Sequence, residues 1–191
     1  MPIVSAVSSA SPEQAIARVR AWIERFVVDL NLCPFARPVV SSDALRIVAC
    51  ESASPEAIAT LLITELDRLS QTSESDIATS VLVFPEGLEE FDDYLGFLDD
   101  AQTVLEEMGL VGEIQIASFH PDYRFEGEPV DAVSHFTNRA PYPLIHLLRE
   151  TMVTTALKHY PNPERIPERN IQTLERLGFA GIEGLLHSLD G

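Results

Sequence analysis

Ser80-Val81-Leu82-Val83-Phe84, closed by Pro85, is the stretch on which the fold turns. A strand that is apolar at successive positions, rather than at alternate ones, is covered on both faces. Helices must therefore flank it, and the sequence supplies them on both sides. Upstream, Ser54-Pro55-Glu56 is a helix start, with Ser as cap and Pro at the first helical position. Ile58, Leu62, Leu66 and Leu69 follow on one helical face. Downstream, Phe91, Leu95, Leu98, Leu105 and Met108 form another apolar face, ended by Gly109 as the C-cap. Beyond these helices Leu45–Cys50 and Glu113–Ser118 read as two more strands. Strands alternating with helices imply a mainly parallel sheet.

At the N-terminal end, Ser11-Pro12-Glu13-Gln14 opens an amphipathic helix through Ile16, Val19, Ile23, Phe26, Val27 and Leu30. Pro34 breaks it, because the residue before a proline is pushed out of the helical region. Residues 1–10 read as a loose tail and 11–191 as one domain. Pro141 and Pro143 announce a further helix carrying two stripes, Tyr142/His146/Arg149/Val153 and Leu144/Leu147/Leu148/Thr151. Two more helices are expected near Glu168–Leu177, capped by Gly178, and at Ile182–Leu189. The expected fold is a single α/β domain: a small, mainly parallel three-stranded sheet with flanking helices and a helical C-terminal part.

The 191 residues are 46% hydrophobic, with a formal net charge of −17 and a mean hydropathy of +0.07. That is a globular composition, and its charge argues against nucleic acid or an anionic membrane as partner. Two cysteines give neither a disulfide framework nor a zinc-finger spacing. No apolar run is long enough to span a bilayer, and Met1–Ala10 lacks the cationic start of a secretion signal. A soluble cytoplasmic protein is the expectation. The charge is unevenly placed. Between Arg68 and Arg124 there is no Lys or Arg and there are thirteen acids, whereas Asn138–Arg176 holds six cations against four anions. An acidic chain that gathers cations in this way has a place for a small anion. A solvated surface cluster is the plainer alternative.

The residue types that do chemistry concentrate between Ser118 and Glu150. His120, Asp122, Asn138, Arg139, His146 and Arg149 fall there, and ligands of open parallel sheets bind beyond the carboxyl ends of strands. His120 reads as an acid/base group oriented by Asp122, with Asn138 and Arg139 holding an anion and Cys33 at the pocket wall or as nucleophile. Such a nucleophile would alkylate well ahead of Cys50. The plainer reading gives His120 a turn-closing hydrogen bond, Asp122 an Asx turn and Cys33 an inert thiol. A second reading makes His120, Asp122 and His146 ligands of a metal, in the two-histidine, one-carboxylate manner. A third makes the polar residues a buried structural network in a non-catalytic binding or interaction protein. The first reading expects His120→Ala and Arg139→Ala to leave the melting temperature nearly unchanged. The third expects a loss of several degrees. Phosphate-loop, dinucleotide, G-x-S-x-G and H-E-x-x-H signatures are absent.

Five blocks carry a resemblance: Asn31-Leu32-Cys33-Pro34-Phe35-Ala36, Ser118–Tyr123, Thr137–Pro143, His146–Glu150 and Pro167-Glu168-Arg169-Asn170. Together they resemble a bacterial family known as domain of unknown function 1415, over about residues 12–178. The resemblance implies no activity and no cofactor. It implies a grouping of Asn31, Cys33, His120, Asp122, Asn138, Arg139, His146, Arg149, Arg169 and Asn170, from which a shared pocket is expected.

Overall fold

The computed structural model describes residues 10–190. The expected tail therefore lies, Ala10 apart, outside the described residues. Helix α1 (Pro12–Trp22) begins as its sequence dictates. The Ser11 hydroxyl accepts from the Gln14 amide, and the Gln14 side chain accepts in return from the Ser11 amide at 2.9 Å. The helix then loosens into a π-helical segment, Ile23–Val28, and a short helix α2 (Ala36–Ser41) follows the Pro34 corner. Strand β1 (Leu45–Ala49), helix α3 (Pro55–Gln71), strand β2 (Thr79–Val83), helix α4 (Phe91–Glu107) and strand β3 (Ile114–Phe119) come next, within a residue or two of the expected bounds.

The predicted helix after Pro143 is a correction. Leu144–Arg149 is strand β4, and helix α5 (Glu150–His159) starts only after it. Because of β4 the sheet has four strands in the order β1-β2-β4-β3 and is mixed, not mainly parallel. β1 pairs parallel with β2, while β4 runs antiparallel to both β2 and β3. The reason is burial. Leu144, Ile145 and Leu147 reach 1% exposure or less in a central position, and a strand buried on both faces shows no alternation to set it apart from a helix. Pro141 and Pro143 precede it as readily as they would a helix.

Alternate residues of the strands feed two cores. Leu82, Ile145, Leu147 and Ile114 pack with Leu62, Leu66 and Leu69 of α3 and Tyr94, Ala101 and Leu105 of α4. Leu45, Ala49, Val81, Val83 and Leu144 pack with Val19, Trp22 and Phe26, and with Leu174 and Ile182 of α6 (Ile166–His187). Gly178, at φ 68°, interrupts α6 where the sequence placed a cap. Tyr94 ties α4 to the sheet edge: its hydroxyl donates to the Leu144 carbonyl and accepts from the Phe119 amide, each at 2.9 Å. Among the described residues no helix is long and apolar enough to cross a membrane.

Candidate functional site

Three histidines in this region share one tautomer, and that fact sorts them. Asp122 donates its amide to His120 Nδ1 at 3.0 Å, so Nδ1 carries no proton and Nε2–H donates to the Leu88 carbonyl at 3.0 Å. His135 is built the same way. It accepts from the Phe125 amide at Nδ1 (3.2 Å) and donates from Nε2 to the Pro129 carbonyl (2.8 Å). Both rings are fully buried, and both spend both nitrogens on backbone. They pin loops.

His146 spends only one. The Thr79 hydroxyl has a single proton, and the Leu147 carbonyl, a pure acceptor, lies 2.6 Å from it. The 2.5 Å contact between Thr79 Oγ1 and His146 Nε2 must then have histidine as donor. Nδ1 is left as a bare lone pair, with no hydrogen-bond partner among the described residues. Burial drives the imidazolium down to a pKa of about 4, so the ring is neutral at physiological pH.

The His146 ring lines a cavity of about 610 Å³ lying against one face of the sheet. Its floor is Thr79 and Val81 of β2, Gln115, Ala117 and Phe119 of β3, and Leu144, His146 and Leu148 of β4. Cys33, Phe35, Val39, Met152, Val153 and Tyr160 complete the wall, Phe35 and Tyr160 meeting edge-on at 6.2 Å. The wall is overwhelmingly apolar. Trp22 also lines it, edge-on to Phe119 at 5.5 Å. The indole is 3% exposed, and its Nε1–H has no hydrogen-bond partner among the described residues. Burial pushes the Cys33 thiol up, which keeps it protonated and a poor nucleophile at neutral pH. Arg149 reaches the same cavity, but its Nε and Nη2 are held by the Ile77 and Thr72 carbonyls at 2.6–3.2 Å.

A second cavity of about 450 Å³ opens beyond the carboxyl end of β3, between the 121–124 and 130–141 segments and α6. Asp122 and Arg139 line it, together with Arg18, Arg124, Asp131, Phe136 and Phe179. The eight candidates thus divide. Cys33, His146 and Arg149 meet in the sheet-face cavity, and Asp122 and Arg139 meet in the other. Asn138 joins neither lining. Its side chain donates to the Ser118 carbonyl at 3.0 Å and accepts from Thr137 Oγ1, while its own carbonyl receives the His120 amide. Asn31, exposed at φ 54°, turns the chain after the π-helical segment. His120 sits inside this network with its ring against Phe91 and Tyr94, and the Asp122 contact that orients it is the amide, not the carboxylate.

The proposed ligand set His120, Asp122 and His146 does not assemble, and among the described residues no group of three His, Cys, Asp or Glu side chains is placed to hold a metal ion. Arg169 braces the chain after α5, donating to the Pro161 and Asn162 carbonyls, and Asn170 clamps the Leu32 carbonyl at 2.7 Å. The sequence reading missed Trp22 and Thr79. A threonine beside an otherwise apolar strand, facing a histidine once β4 is recognised, was the available signal for the second. Trp22 offered none, since a tryptophan on a helix's apolar face reads as core.

The family model described as "Protein of unknown function (DUF1415)" matches residues 14–183. No curated protein and no solved structure gives a match.

Proposed function

The chain belongs to the DUF1415 family, and from its geometry we propose that it binds a small, uncharged molecule with an apolar body in the sheet-face cavity. The observation that carries this reading is His146 Nδ1, an unpaired acceptor in a cavity of about 610 Å³ whose wall is almost wholly apolar. A polar group left unpaired in an apolar setting costs about 1–3 kcal/mol, which a ligand donor would recover. Trp22 stands in the same wall, so that a molecule bound there lies beside its indole. Two further groups offer no free charge: Cys33 is held protonated and Arg149 is tied to two carbonyls. An apolar wall with an unpaired histidine acceptor and a neutral glutamine amide on its floor suits an amide, a lactam or an alcohol better than a charged metabolite. A pKa near 4 also makes His146 a hydrogen-bond acceptor in this setting, well below the range of a proton carrier at neutral pH.

Trp22 is the chain's single tryptophan, so occupancy can be read from its emission. Cyclohexanecarboxamide and cyclohexylmethanol are suitable neutral probes. At least one is expected to shift the emission saturably and raise the melting temperature. Filling the floor with Ala117→Phe should abolish both effects, and His146→Leu should weaken the amide about tenfold. The reading fails if neither probe perturbs emission or melting, or if Ala117→Phe binds like the parent.

A further inference from the structure

The cavity beyond β3 has the opposite chemistry. In a chain of net charge −17 it gathers three of the thirteen cationic residues, Arg18, Arg124 and Arg139, against two acids, Asp122 and Asp131. Arg139 is the best placed. Its Nε donates to the Tyr123 carbonyl at 3.2 Å, and its guanidinium lies over the Phe136 ring, 4.5 Å from the centroid. Those contacts hold the fork in place and leave its two terminal nitrogens without a hydrogen-bond partner among the described residues. No carboxylate comes within ion-pair distance of it. Burial and the neighbouring Arg124 both work against its charge, with only Asp122 helping through space. A half-buried guanidinium over an aromatic ring, with a second arginine beside it, is a receptor for a planar anion.

The apolar wall narrows the choice. Among the described residues five large hydrophobic side chains are exposed, and two of them, Val130 and Phe179, line this cavity. Phe179 stands edge-on to Phe136, with ring centroids 6.0 Å apart. Asp122 and Asp131 would repel a dianion. We infer that this cavity is a second ligand site, selective for a small monocarboxylate with an aromatic or aliphatic body, its carboxylate on the Arg139 fork near Arg124 and its body against Phe179.

Saturation-transfer NMR and calorimetry on the full chain at low salt test this with phenylacetate, octanoate, phenylacetamide and inorganic phosphate. At least one of the two acids should bind, with phenylacetamide at this site about tenfold or more weaker than phenylacetate and phosphate not competing. Arg139→Gln should abolish acid binding, and Phe179→Ala should reduce it severalfold. Arg124→Gln guards against misfolding, since Arg124 makes no hydrogen bond among the described residues that the fold could lose; it should weaken binding severalfold with an unchanged melting temperature. Several outcomes overturn the inference: neither acid binding below about 10 mM, the amide binding as tightly as the acid, phosphate displacing it, or Arg124→Gln and Arg139→Gln both binding normally. Ala117→Phe separates the two cavities. Acid binding lost in that variant and kept in Arg139→Gln would place the acid in the sheet-face cavity and sink the second site, whereas the neutral-probe reading would survive.

Discussion

The two faces of one sheet are finished differently. On one face α3 and α4 lie side by side, and Leu62, Leu66, Leu69, Leu82, Tyr94, Ala101, Leu105, Ile145 and Leu147 are all 2% exposed or less. On the other, α1 and its π-helical extension cover part of β1 and β2, and the floor over β3, β4 and the Thr79–Val81 stretch of β2 is left to the cavity. The same strands serve both, alternate residues pointing each way. β2 and β4 send Leu82, Ile145 and Leu147 to the packed face and Thr79 and His146 to the open one. What the contrast teaches is where polarity can be kept. A strand hydroxyl paired with a histidine is tolerable only where a cavity adjoins it; on the packed face it would displace a leucine.

The sharpest way to break the comparison is to truncate one leucine on each face. Leu66→Ala, on α3 at 0% exposure, should cost about 2–5 kcal/mol, because surrounding helices cannot collapse into the void. Leu148→Ala, already bordering the open cavity, removes contacts without creating a new hole and should cost about 1 kcal/mol. Urea unfolding of both variants decides. Equal losses would mean that the cavity is as tightly packed in solution as the α3/α4 face, and the contrast would vanish.

Acidification tests the open face through His146. In the unfolded chain the imidazole titrates at its ordinary value near 6.5; in the fold it titrates at about 4. Between those values the unfolded chain binds more protons, so stability is complete above pH 6.5 and falls as the pH drops towards 4. The shift corresponds to about 3 kcal/mol. Many carboxylates titrate in the same range, so the measurement is a difference. His146→Leu should match the parent within about 1 kcal/mol at pH 7.5 and exceed it increasingly below pH 6. Parallel pH profiles for the two proteins would show that His146 is solvated and not held neutral.

How much of this was legible depends on whether the signal was local. β2 announced itself because five consecutive residues were destined for burial, and α3 and α4 because serine, proline and glycine mark their ends. β4 was hidden by the same physics. Its neighbours β2 and β3 come from 69 and 33 positions away, where Thr79 and Gln115 both pair with Leu148 in the register, and no local pattern records that pairing. The site suffered twice. His120 and Asn138 read as chemical groups by type and position, yet their roles are set by the Leu88 and Ser118 carbonyls. His146 read as one side of a helix, and its open nitrogen emerges only once Thr79 is across from it.

His120 then returns as a stability test. Truncation to alanine strips the partners from the Asp122 amide and the Leu88 carbonyl and removes a ring packed on Phe91 and Tyr94. A loss of about 1–3 kcal/mol is expected, or several degrees at roughly 2–4 °C per kcal/mol for a domain of this size. The sequence reading of His120 as a catalytic base expected almost none. An unchanged melting temperature would return the residue to the candidate list.

The smallest effect belongs to the packed face and carries the opposite sign. Ser80 alternates with Thr79 and Val81 along β2, so its side chain goes to the α3/α4 side, where it is 0% exposed. Its hydroxyl has no hydrogen-bond partner among the described residues, unlike the Thr79 hydroxyl one position earlier, which bonds both His146 and the Leu147 carbonyl. Replacing a buried hydroxyl that bonds nothing loses no interaction and removes a desolvation cost. Ser80→Ala should therefore stabilise by about 0.5–1 kcal/mol, while Thr79→Val, of similar size change, should destabilise by about 1–2 kcal/mol because it strands the His146 Nε2–H. Opposite signs at adjacent positions of one strand are what two differently finished faces require. Two losses of the same size would show that the Ser80 hydroxyl is satisfied in solution and that the packed face also keeps polarity.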